Sequence, residues 1–283
     1  MILNLTRILR FLFVWAVFLL LHQQILQAGV TVYPTFIFVN APNRATSIVV
    51  TNNSSVTSEI WVDFRYGYPA GDDSGNVFMK FIDSADVGEP SAVSWIRAFP
   101  QRVVLEPQES QKIRVLLSPP QGLSSKEYWT RLIIHSKDKE NLPTSGSQRG
   151  QLRSGIKLLT NVDVPVHYRS GQVSTGVILQ NVDARTNSGI LTILTDLARA
   201  GNASFWGIYK IVLRDQQGKK VTTKDQNIAV YQNLRYAMRV DVTKVPAGTY
   251  TLELEISSQR RDIRREFLLV SDPVRRNINI TIP

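Results

Sequence analysis

A chain of 283 residues, 43% hydrophobic and 20% charged, is long enough for two domains with real cores and too apolar to be disordered. It contains no cysteine, which excludes a small disulfide-held scaffold and leaves packing alone to stabilise it. The formal net charge of +10 would suit a polyanion, yet the positive residues are scattered apart from Arg260, Arg261, Arg264, Arg265, Arg275 and Arg276, and those clusters read as a solvated face rather than a nucleic-acid footprint.

Arg7 and Arg10 precede an unbroken apolar run over 11–21, and Leu26-Gln27-Ala28 ends in a small residue, the pattern of a secretory signal peptide cleaved after Ala28. The run falls short of the ~20 residues that a membrane-spanning helix needs. Its removal takes away two arginines and no carboxylate, so the charge of +10 falls by two to +8.

Val30, Val32, Phe36 and Phe38 begin an extended segment that Pro34 breaks or places at an edge. Strands are expected over 46–51, closed by the turn-forming Asn52-Asn53-Ser54, and over 59–66, where Ile60, Val62, Phe64 and Tyr66 alternate. A loop at 70–76 precedes a strand at 77–82; Trp95 to Pro100 leads into strands at 102–106, 111–117 and 127–136. Asp72 and Asp73 suggest a calcium loop, but no bidentate Glu follows at the spacing such loops require, so a solvated turn is expected. Seven short strands with turns between them in about 140 residues is the pattern of an immunoglobulin-like sandwich. No helix is expected.

Residues 156–169 (IKLLTNVDVPVHYR) are the stretch that the chain is organised around. Ile156, Leu158, Val162, Val164 and Val166 share one parity, interrupted by Thr160; Lys157, Asn161, Asp163, Pro165 and His167 share the other. That is a β-strand. The Ser-, Gly- and charge-rich loop before it frees it to lie at a sheet edge, and Pro165, with no N–H to give a ladder, favours an edge. A long apolar edge needs a partner. The plain alternative is a strand of the domain's own core.

Beyond Ser170-Gly171, strands are expected at 173–181, 189–197, 207–215, 228–231, 236–242, 249–257, 267–270 and 277–282. Gln216-Gln217-Gly218-Lys219 and Pro246-Ala247-Gly248 mark turns between neighbours. The chain thus divides into a signal peptide over 1–28, a first domain over 29–169 that ends in the organising strand, and a second over 170–283. The fold class is all-β, two immunoglobulin-like sandwiches.

Beyond the signal only His135 and His167 could serve a metal, and zinc would need more ligands of that kind. Both are read as structural or surface residues. No Gly-rich phosphate loop and no G-x-S-x-G elbow occurs. The reading is therefore not an enzyme, with no cofactor, no metal, no small-molecule substrate and no nucleic-acid partner.

Several stretches fall in order along the chain: FRYGYP over 64–69 with Asp73 and Gly75, WIRAFP over 95–100, then Arg102, Leu105 and Pro107, ESQKIRVL over 109–116, Pro119-Pro120, EYWTRL over 127–132, and Val164-Pro165-Val166 with Arg169. GNASFWG over 201–207, IAVY over 228–231 and Gly248-Thr249-Tyr250 continue the series. Together they resemble the periplasmic chaperones of chaperone–usher pilus assembly, particularly the branch called archaic. The resemblance implies two immunoglobulin-like domains at an angle, a periplasmic location, and a final strand of the first domain lent to a pilus or fimbrial subunit that lacks its own. Such donor-strand complementation is a form of β-augmentation, and the client then passes to an outer-membrane usher. The implied donor residues are Ile156, Leu158, Thr160, Val162 and Val164, of which Thr160 is a weaker filler; without a client the strand is free for self-association.

In better-known members an Arg and a Lys hold the client's C-terminal carboxylate between the domains, and Phe36 and Pro165 stand at those positions here. The candidate replacements are Arg97, Lys157 and Arg102, and Arg169 matches an arginine that ties the two domains together. The rival reading is a secreted immunoglobulin-like structural or adhesive module without chaperone activity.

Overall fold

The computed structural model describes residues 29–83, 88–139 and 159–283. In the first half, ten strands form two sheets: β1 (Val30–Tyr33), β2 (Ile37–Asn40), β3 (Ala45–Asn52), β4 (Ser58–Gly71), β5 (Val77–Ile82), β6 (Ile96–Phe99), β7 (Arg102–Leu105), β8 (Ser110–Leu117), β9 (Lys126–Asp138) and β10 (Leu159–Ser170). One sheet runs β1-β3-β8-β6; the other runs β2-β10-β9-β4-β5, with β7 also on β4. The break expected at Pro34 divides the first segment between the sheets, β1 lying antiparallel on β3 and β2 parallel on β10.

Period-2 alternation explains the core between these sheets. Ile48 and Val50 from β3 and Ile113 and Val115 from β8 meet Ile60 from β4, Leu132 and Ile134 from β9, and Val164 and Val166 from β10. All are at most 1% exposed. Each such side chain stabilises the domain by ~1.5–3 kcal/mol.

The second half contains β11 (Thr175–Asn187), β12 (Ile190–Gly201), β13 (Phe205–Arg214), β14 (Lys220–Val230), β15 (Asn233–Asp241), β16 (Gly248–Ser257) and β17 (Val274–Ile282). They make sheets β11-β12-β15 and β14-β13-β16-β17 around a separate core that includes Ile193, Phe205, Tyr209, Ile211 and Leu252. The described residues contain no α-helix, only 3-10 turns at Val93–Trp95 and Arg265–Phe267. The all-β, immunoglobulin-like fold class is as expected.

Two local expectations fail. β14 begins at Lys220 rather than near Ile228, because its polar first half is held by the ladder to β13 and not by burial. The expected strand at 267–270 is a 3-10 turn and irregular chain: Phe267 packs on Phe38 (ring centroids 5.8 Å) while Val270 is 84% exposed.

Candidate functional site

β10 pairs with β9 over its whole length, from Leu159 opposite Lys137 to Ser170 opposite Lys126. Its other edge is paired with β2 only from Val166 to Arg169. Among the described residues, no strand pairs with that edge over 159–165. Pro165, which has no N–H to donate, sits immediately before β2 joins. Thr160 and Val162 are half-buried along the open stretch, Val162 packed at the margin of the first core, whereas Val164 is 1% exposed within it. Of the expected donor residues, Thr160 and Val162 therefore lie beside the open edge and Val164 is already committed. Ile156 and Leu158 lie outside the described residues, as does Lys157.

The lower end of the same strand builds the junction between the two halves. Glu127 on β9 and His167 and Arg169 on β10 point away from the first core and are buried against the second domain. Glu127 accepts from Arg169 Nε at 2.9 Å, from the His167 Nδ1 at 3.0 Å and from the Ser204 N–H at 3.1 Å, and also from the Ser204 hydroxyl. The His167 Nε2 faces the Tyr231 hydroxyl at 2.9 Å, Trp206 Nε1 donates to Ser204 Oγ at 2.9 Å, and Arg169 Nη1 donates to the Phe267 carbonyl at 2.7 Å. Burial by itself would raise the Glu127 carboxyl, but the attraction and hydrogen bonds of His167, then Arg169 and Ser204, hold it at about 2. Burial pushes His167 below its ordinary value, against the pull of Glu127. A neutral imidazole suits both neighbours, Nδ1–H donating to the carboxylate and Nε2 accepting from the phenol.

Aromatic packing closes round this network, with His167 stacked on Phe38 at 4.9 Å and Trp206 edge-on to Phe36 at 5.2 Å. A second contact comes from the loop at 70–76. The Asp72 carboxylate accepts from the N–H groups of Ser74 and Asn76, so it shapes a turn as expected. The turn presents the Gly75 carbonyl to the Ala237 N–H at 2.9 Å, and Arg239 donates to Asn76 at 2.9 Å. Gly75 has φ +75°, and a Cβ there would lie 2.6 Å from the Ala237 nitrogen.

A cleft of about 370 Å³ opens beside the junction, lined by Phe36, Phe38, Thr46, Ser47, Arg264 and Phe267 among others. The expected carboxylate anchors are not in its lining. Arg97 is on β6, in the other sheet, and its guanidinium turns back to the Ile96 carbonyl at 2.7 Å. Arg102 pairs with Glu59 at 3.2 Å, level with Trp61, His135 and Asn161 across the sheet. Eight residues of β10 separate that level from Arg169, roughly 26 Å of strand. Motif order placed both arginines beside the donor strand, but strand pairing put them on other edges. The cleft's cations come instead from the second domain. Arg264 lies in its lining beside Glu266 at 3.2 Å, and Arg260 sits over the rings of Phe36 at 5.6 Å and Trp206 at 5.4 Å while paired with Asp262.

Sequence reasoning reached the junction through Arg169 alone. Glu127, Ser204, Trp206 and Tyr231 fall inside motifs noted for their resemblance, yet none was given a role. The available signal was Trp129 lying between Glu127 and Arg131 on the parity that the first core does not use. Among the described residues, no group of three His, Cys, Asp or Glu is placed to hold a metal ion.

No protein-family model matches the sequence, and no curated protein matches it. The fold is similar to several solved structures. The Salmonella enterica SafA pilin in complex with the SafB chaperone matches at 12% identity and TM-score 0.42, over 88% of this chain and 96% of that one. The CsuC–CsuE chaperone–tip subunit pre-assembly complex from the archaic chaperone–usher Csu pili of Acinetobacter baumannii matches at 10% identity and TM-score 0.42, over 75% and 91%. The E. coli chaperone DraB matches at 12% identity and TM-score 0.41, over 88% and 98%.

Proposed function

We propose that this chain is a periplasmic chaperone that lends the open edge of β10 to a pilus or fimbrial subunit lacking its final strand, and delivers that subunit to an outer-membrane usher. The observation that carries the reading is the half-paired strand: β9 holds residues 159–170 on one side, while β2 covers only Val166–Arg169 on the other. An edge of this kind offers backbone donors and acceptors to a client strand, and its alternating side chains select the client. The junction network then has a mechanical role. By fixing Arg169 between Glu127 and the Phe267 carbonyl, it sets the second domain against the base of the donor strand.

A client C-terminus in the cleft would be a buried anion in need of a cation. Arg264 is the candidate, with Arg260 behind it on the Phe36 ring; Phe36, where better-known members have an arginine, becomes the platform for an arginine of the other domain. The test is co-expression with a secreted immunoglobulin-like subunit lacking its last strand. Thr160→Arg and Leu158→Arg should lower recovery of the complex while leaving the free protein folded, because charge in an apolar groove costs several kcal/mol. Unfolding of the free protein by either change would favour an ordinary core strand and the rival structural module.

A further inference from the structure

The outward face of the sheet β1-β3-β8-β6 lies away from the donor edge and meets the junction cleft only at Tyr33 and Ser47. Its registers place side chains in four rows: Thr31, Thr51 and Ser110; Tyr33, Val49 and Lys112; Ser47, Arg114 and Phe99; Ala45, Leu116 and Arg97. Alternation forces this arrangement, because Ile48, Val50, Ile113, Val115 and Ile96 point the other way into the core. Tyr33 is 75% exposed, Phe99 70% and Leu116 45%. The four rows contain no carboxylate, and Lys112, Arg114 and Arg97 form no ion pair among the described residues. Of the C-terminal arginines, by contrast, Arg260, Arg264 and Arg275 each hold a carboxylate, and the others lie outside this face.

We infer that this face binds an anionic lipid surface, its cations meeting headgroup phosphates and Tyr33 and Phe99 entering the interfacial layer. Unpaired cations with amphipathic aromatics on one plane are the combination such a surface recognises. The size of the face supports lipid over a second folded partner. Three strand spacings by three two-residue steps make about 14 by 20 Å, roughly 300 Å², whereas a stable protein interface takes about 800 Å² per partner. A headgroup layer needs no matching shape.

The experiment uses residues 29–283, which carry all three core clusters, and co-sedimentation with vesicles of phosphatidylglycerol and phosphatidylethanolamine, against phosphatidylcholine alone. Binding should be selective for the anionic vesicles and lost at 0.5 M salt. Lys112→Gln with Arg114→Gln should weaken it roughly thirtyfold, about fivefold for each cation. Tyr33→Ser with Phe99→Ser should weaken it further without changing the melting temperature. Lys219→Gln with Arg276→Gln, which removes the same charge elsewhere, should have little effect. Absence of selective binding would overturn the inference, and so would equal loss in the two charge variants. Face variants that impair a protein complex while the unaltered chain ignores vesicles would assign the face to a protein and overturn it too.

Discussion

Replacing Glu127 with Ala removes the one carboxylate on which the junction converges. Arg169, His167 and both donors of Ser204 lose their acceptor in a site where Glu127 and His167 are wholly buried and Arg169 is 5% exposed. Breaking a buried charge pair by removing one partner costs about 3–5 kcal/mol, chiefly because the remaining charge stays buried and unpaired. At about 2–4 °C per kcal/mol for a chain of this size, melting should fall by roughly 6–20 °C. The two sandwiches have separate cores, so the loss should appear as uncoupling. Scanning calorimetry should show the domains melting in two steps, and small-angle scattering should show a broader distribution of shapes. Removing the orphaned charge as well, as Glu127→Leu with Arg169→Met, should recover much of the loss. A single variant that melts within about 1 °C of the parent, with unchanged scattering, would refute the claim that this network holds the domains together.

The same network sets an acid limit. Glu127 is lowered from 4.5 to about 2, so its contribution is present above pH ~4.5 and is lost as pH falls towards 2. His167, lowered by burial, adds a loss that begins as pH falls below 6.5, since the unfolded chain binds that proton more readily. Urea midpoints measured between pH 7 and 3 should decline throughout, and in the Glu127→Leu, Arg169→Met variant, which keeps His167, the part of the decline below pH ~4.5 should be much smaller. Gly75→Ala combines a left-handed φ with a Cβ 2.6 Å from the Ala237 nitrogen, so it should cost more than ~1 kcal/mol and expose the loop at 70–76 to limited proteolysis. Arg264→Ala should lower recovery of a client complex at unchanged melting temperature, while Arg97→Ala and Arg102→Ala should not; equal recovery in all three would remove the cleft arginine from the site.

What was legible in the sequence was parity. Ile60, Val62, Ile113 and Val115 announced their strands because a half-buried sheet needs apolar residues at every second position, and the all-β fold followed. Parity reports burial, not the element that does the burying. His167 reads as a structural or surface residue because it opposes the first core, yet a second domain covers it, as it does Arg169, whose interdomain role came from the resemblance and not from parity. β14 was short in the sequence reading because Lys220, Thr222, Lys224 and Gln226 belong to an edge strand whose stability comes from its ladder. Arg97 and Arg102 were placed by their order along the chain, whereas pairing with β8 and β4 fixes where they lie.

Amide hydrogen exchange along β10 tests the chaperone reading most directly. An antiparallel strand turns alternate N–H groups to opposite neighbours, so within 159–165 one alternate set faces β9 and the other faces the open edge. In the free protein the outward set should exchange rapidly and the inward set slowly, and the outward set should become protected when a strand-deficient subunit is bound. Outward amides already protected in the free protein, or unchanged in the complex, would contradict strand donation.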